Sequence, residues 1–158
     1  MILVTVGTNE ARFDRLLDAV ATLPRGERLL VQHGHSKRVE HPDAELVSFL
    51  GYDQLAAAMG EARVVVTHAG VGSVLTALAA GKRPVVVPRL RRHGEAVDDH
   101  QLQLARRLGE VGLARVAEPA GLAAAVAQGG GSAPEPLRST PLGAELRGYL
   151  GGLVGAPS

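Results

Sequence analysis

Val64-Val65-Val66-Thr67-His68-Ala69-Gly70-Val71-Gly72-Ser73 opens the stretch that decides the fold, VVVTHAGVGSVLTALAAGKRPVVVPRLRRHGEAVDDHQ, which runs from Val64 to Gln101. Three β-branched residues end at Thr67-His68, a turn of small residues follows, and from Gly72 the apolar spacing is helical through Val74, Leu75, Leu78 and Ala79. Gly81 is placed to close that helix in the left-handed region, and Pro84 to Val87 supplies the next strand. Strand, glycine turn, helix and strand make a βαβ unit, whose ligand site lies at the carboxyl end of the strands. The first amides of the helix have no partner inside it, so an anion is welcome there. Gly70 and Gly72 let a ligand come close to the backbone, and Ser73 can add a hydroxyl. A plain strand-to-helix turn with glycines for tight packing is the alternative.

Pro88 to Gln101 lies just beyond the second strand and is expected over the same sheet edge. It carries a basic loop, Arg89, Arg91 and Arg92, and then Asp98 or Asp99 as a cap for the helix that begins near Gln101. Taken together, T-H-A-G-x-G-S, G-K-x-P-V-V-V-P-R and H-G-E-x-V-D-D-H-Q resemble the donor-binding half of GT-B glycosyltransferases, of the family 28 C-terminal type. They are nearest to the small Alg13-like proteins and the exopolysaccharide subunits of the PssE/EpsF type. V-T-V-G-T-x-x-x-x-F-D-R-L-L, from Val4 to Leu17, resembles the opening of the Alg13-like proteins, where the first glycine turn faces the cleft.

The resemblance implies a hexosyl transfer from a UDP-sugar with inversion and without a metal or other cofactor. It implies donor-binding roles for Gly7, Thr8, His68, Ala69, Gly70, Gly72, Ser73, Arg89, Asp98, Asp99 and Gln101. Gln101 stands where the family places a glutamine on sugar hydroxyls, while Asp98 and Asp99 either do the same or only cap. Arg89, Arg91 and Arg92 either meet diphosphate, face anionic lipid, or form a solvated loop. Full-length relatives carry a glutamate for the ribose where this chain has Thr76. Half an enzyme is implied, so the partners expected are an Alg14/PssD-like membrane-anchored subunit, which would hold the general base, and a lipid-linked acceptor.

The remaining chain fits a doubly wound, mostly parallel Rossmann-like sheet. Strands are expected at Ile2 to Val6, Arg28 to Gln32, Glu45 to Phe49 near an edge, and Val111 to Val116. Helices are expected at Ala11 to Leu23, at Asp53 to Met59 with Asp53 as N-cap, at Gln101 to Leu108, and at Ala120 to Gln128 after Pro119. Residues 1–128 then form the nucleotide-sugar-binding domain and 129–140 a Gly/Pro-rich linker. Residues 141–158 form a C-terminal docking helix, striped by Leu142, Leu146, Tyr149, Leu150 and Leu153.

At 158 residues the chain suits one such domain. A net charge of +1 and 3% aromatic residues argue against nucleic acid. The absence of cysteine removes thiolate catalysis and disulfide scaffolds. His33 and His35 read as a polar loop rather than a metal site. No signal-peptide pattern or spanning run is present, so the expected location is cytoplasmic, at the inner membrane face through the partner. A non-catalytic nucleotide-sugar-binding or regulatory module is the competing reading. A dinucleotide oxidoreductase is disfavoured, because Gly7-Thr8-Asn9 lacks the G-x-G-x-x-G turn.

Overall fold

The structure, a computed structural model, describes residues 1–134. The expected C-terminal docking helix and the far end of the expected linker lie outside the described residues.

Strands β1 (Ile2–Thr5), β2 (Leu29–Gln32), β3 (Ala44–Val47), β4 (Val64–Thr67), β5 (Val85–Val86) and β6 (Arg115–Val116) form one sheet in the order β3-β2-β1-β4-β5-β6. Every pairing is parallel. That is the doubly wound order, with the topological switch between β1 and β4. β1, β2 and β4 are buried at every residue, which is why they read as unbroken apolar runs. β3 is half-exposed at the edge, as its alternation predicts.

Helices α1 (Asp14–Ala21) and α5 (Leu122–Gln128) cover one face. There Phe13, Leu16, Leu17, Val20, Leu122 and Val126 pack on Val4, Val31 and Val66. Helices α2 (Tyr52–Glu61), α3 (Val71–Ala79) and α4 (His100–Glu110) cover the other. Met59, Ala62 and Ala77 meet Leu3, Leu30 and Val65, while Val74, Leu78, Leu104 and Leu108 meet Val86. Gly81, at φ +79°, closes α3 as expected: its N–H donates to Leu78 O at 3.0 Å, and Lys82 N–H donates to Ala77 O at 3.0 Å. These are the two bonds of a Schellman motif.

Four expectations shift. The α2 N-cap is Gly51 rather than Asp53, because the Gln54 side chain reaches back to accept the Gly51 N–H at 3.1 Å. Of the strand expected at Val111 to Val116, Val111 to Leu113 is a turn, with Gly112 at φ +77°, and only Arg115–Val116 forms β6. Pro119–Gly121 is a 3-10 turn ahead of α5. The stretch read as linker is packed where it begins: Ser132 bridges antiparallel to Lys82, Ala133 N–H donates to Gly81 O at 2.9 Å, and Ala133 is buried. Gly130 permits this, since a Cβ there would run into the Arg83 carbonyl.

Candidate functional site

A cleft of about 910 Å³ opens at the carboxyl ends of β1, β2 and β4. One side is the amino terminus of α3, with Gly70, Val71, Gly72 and Ser73. The floor carries Thr5, Gly7, Thr8 and Gln32, and an apolar wall is made by Leu50, Tyr52, Leu55, Leu75 and Ala79. Of the residues expected to bind donor, Gly7, Thr8, His68, Gly70, Gly72, Ser73 and Gln101 line this cleft.

His68 is its hub. The ring is wedged between the two glycine turns, since a Cβ on Gly7 or on Gly70 would fall inside the imidazole. Gly7 also sits at φ +78°. Hence Gly70, read from sequence with Gly72 as room for a ligand, first makes room for a histidine, whereas a Cβ on Gly72 would meet nothing. Gln101 Nε2 lies 3.3 Å from His68 Nδ1, and Ser73 Oγ lies 3.3 Å from His68 Nε2. Burial, and then the charge of Arg89, push the His68 pKa down to about 4. His68 is therefore neutral at physiological pH.

Four expected binders stand elsewhere. Ala69 is buried among Val74, Val86 and Leu104, pointing away from the cleft. Arg89 is fully buried and does not line it. Its Nη1 donates to Ala11 O at 2.8 Å and Glu95 O at 3.1 Å, its Nη2 donates to Val6 O at 2.7 Å, and its guanidinium lies 4.9 Å from the centre of the Phe13 ring. A charge-bearing fork with several donors suits that many carbonyls, so Arg89 ties loops together instead of meeting diphosphate. Asp98 and Asp99 are also off the cleft. Asp98 accepts the His100 N–H at 3.0 Å and Asp99 accepts the Arg91 N–H at 3.1 Å. Although Asp99 is the N-cap residue of α4, it makes no side-chain cap bond, because its carboxylate is engaged by the basic loop. Arg91 and Arg92 are exposed.

Two groups escaped the sequence reading. Glu95, buried, accepts from Arg15 Nε and Nη2 at 2.9 Å each and from the Leu90 N–H at 2.9 Å, while Arg15 also donates to Pro88 O at 3.1 Å. This latch joins α1 to the loop after β5. An acid placed just after the basic run Arg89 to His93 was the available signal. Gln32 is the second. It follows Leu30 by two and so shares the face covered by α2 and α3. Its Oε1 accepts from Thr5 Oγ1 at 2.8 Å, and Thr5 Oγ1 accepts the Gly7 N–H at 3.2 Å, which turns the Gln32 amide nitrogen to the cleft. A glutamine ending a buried strand was the mark of it. Thr76 lines the wall, with its hydroxyl given to Gly72 O at 2.8 Å.

Comparison with known proteins agrees with this geometry. The family model described as "Glycosyltransferase family 28 C-terminal domain" matches residues 1–135. The chain is 35% identical over 121 residues to the UDP-N-acetylglucosamine transferase subunit ALG13 of Yarrowia lipolytica (strain CLIB 122 / E 150), covering 68% of this chain and 60% of that one. It thus spans less than two thirds of that relative. Among solved structures it resembles the glycosyltransferase SnogD from Streptomyces nogalater (TM-score 0.59, 19% identity, 97% of this chain, 39% of that one). It also resembles the calicheamicin glycosyltransferase CalG4 (TM-score 0.55, 20% identity, 97% of this chain, 37% of that one). At such identities these two speak for the fold alone, that of a Rossmann-like half of a GT-B glycosyltransferase. With its profile matched from residue 1 to residue 135, the chain belongs to the glycosyltransferase family 28 C-terminal domain family.

Proposed function

We propose that this chain is the donor-binding subunit of an inverting glycosyltransferase, taking a UDP-sugar and passing its hexosyl group to a lipid-linked acceptor held with a membrane-anchored partner subunit. The observation that carries this reading is the pairing, in one cleft, of the free amino-terminal amides of α3 with the Ser73 hydroxyl and an adjoining apolar wall. Departure of a nucleoside diphosphate concentrates negative charge on its phosphates, and donors fixed beforehand stabilise that charge as it grows. The amides of Val71, Gly72 and Ser73 are such donors, and the wall of Leu50, Tyr52 and Leu55 offers apolar cover for a nucleoside. All the groups invoked belong to the protein, so the reading calls for no cofactor.

The partner enters through what the cleft does not offer. Among the described residues its lining contains no carboxylate, and the His68 Nδ1 lone pair is occupied by Gln101. A general base is therefore assigned to the partner half, as is the acceptor. The ALG13 relative is named as a transferase subunit, which favours the same division. Calorimetry with UDP and UDP-N-acetylglucosamine tests the donor site: micromolar binding that is lost in a Gly72→Asp variant supports it, and no heat with either nucleotide refutes it. Affinity capture from membranes solubilised in mild detergent tests the partner. Transferase activity in the isolated chain, equal to that of the captured assembly, would remove the need for one.

A further inference from the structure

The hydrogen bonds around His68 have only one consistent set of donors. The Arg89 backbone N–H lies 3.1 Å from Gln101 Oε1, and an N–H can only donate, so that amide cannot be turned over. Its Nε2 therefore faces His68 Nδ1 at 3.3 Å, and an amide nitrogen cannot accept. Nδ1 must accept, which in a neutral imidazole puts the ring proton on Nε2. Nε2 points to Ser73 Oγ at 3.3 Å, so Oγ accepts there and its own proton is left over. Ser73 lines the cleft in the first turn of α3.

We propose that Gln101 is a positioning residue that fixes the tautomer of His68, so that the Ser73 hydroxyl proton is turned outward and given to an anionic oxygen seated at the amino terminus of α3. The relay runs Arg89 N–H, Gln101, His68, Ser73 and then ligand, and each member polarises the next. Gln101 would then serve the anion rather than grip a sugar hydroxyl, the role its position in the sequence suggested. Burial that keeps His68 neutral keeps the relay single-handed, because an imidazolium would donate from both nitrogens and repel the Gln101 amide. Only the identity of the anion, a diphosphate, rests on the function proposed above.

Long-range ¹⁵N–¹H correlation of the full chain, ligand-free at pH 7.5, reads the tautomer directly. The expected result is His68 protonated on Nε2 alone. In Gln101→Glu the carboxylate can only accept, and the tautomer should invert to Nδ1–H. Gln101→Leu, which adds no charge, should weaken UDP and UDP-N-acetylglucosamine by the same factor, about three- to tenfold, as expected for one lost hydrogen bond. A wild-type His68 protonated on Nδ1 overturns the relay without using any variant. A Gln101→Leu protein that binds UDP normally and loses only the sugar-dependent part of its affinity overturns it in favour of a direct sugar contact. Wild-type protein with the stated tautomer but no affinity for UDP or UDP-sugar would leave the lock standing and overturn the delivery of its proton to diphosphate. That result would fall on the proposed function, and the NMR result tells the two failures apart.

Discussion

The imidazole of His68 occupies the space that a side chain on Gly70 would need, with Gly7 making the same concession from the turn after β1. Backbone conformation does not explain Gly70, whose φ of −80° any residue can adopt. The buried ring explains it. Gly70→Ala must therefore push His68 out of its slot, at a cost of about 1–3 kcal/mol, the usual range for overpacking. Urea denaturation of Gly70→Ala, His68→Ala and the double variant checks this: the penalty of the alanine at 70 should largely vanish once the ring is gone. If the penalty persists in the double variant, something other than His68 sets it.

Stability should fall between about pH 6.5 and pH 4. The His68 pKa is about 4 in the folded chain against an ordinary 6.5, so in that window the unfolded chain takes a proton that the folded one refuses. The contribution of the buried neutral histidine is fully present above pH 6.5 and is lost as pH drops towards 4, up to about 3 kcal/mol at 1.36 kcal/mol per pH unit. The readout is the difference in unfolding free energy between wild type and His68→Gln at pH 7.5, 5.5 and 4.5. A difference that does not change with pH would contradict a neutral, buried His68.

Arg89→Met should cost about 2–4 kcal/mol, because it leaves Val6 O, Ala11 O and Glu95 O without their donor. Arg89→Lys should recover little of it, since an ammonium cannot span three carbonyls in a plane. Chemical denaturation measures both. Asp98→Ala and Asp99→Ala, whose carboxylates among the described residues meet the Arg91 and His100 amides and the exposed His100 ring, should change UDP affinity by less than about twofold. A tenfold loss in either would restore them to the donor site.

Gly130→Ala should destabilise the chain by about 1–3 kcal/mol while leaving nucleotide affinity intact. Its Cβ would strike the Arg83 carbonyl where the strand-like strap meets the loop after α3. That contact lies beyond the carboxyl end of α3, whereas the cleft is at its amino end. Urea midpoints set beside UDP calorimetry would separate the two effects, and a parallel loss of affinity would show coupling along α3.

Sequence alone determined the layered architecture and the place of the cleft. Ile2 to Val6 and Val64 to Thr67 are apolar on both faces, and only a parallel strand covered by helices on each side uses such a pattern. Gly81, placed after a helical stripe, fixed the end of α3 through its left-handed conformation. Glycines in a strand-to-helix turn marked the cleft, because local backbone geometry is a local property of sequence. What only the tertiary structure decided is which polar groups face that cleft. Arg89 and Asp99 are near it in sequence yet turned to carbonyls and an amide of other segments, while Gln32, far away in sequence, reaches it from a neighbouring strand through Thr5. The direction of a polar side chain is set by the partners that folding brings to it, and Val6 O, Ala11 O and Thr5 Oγ1 come from distant parts of the chain.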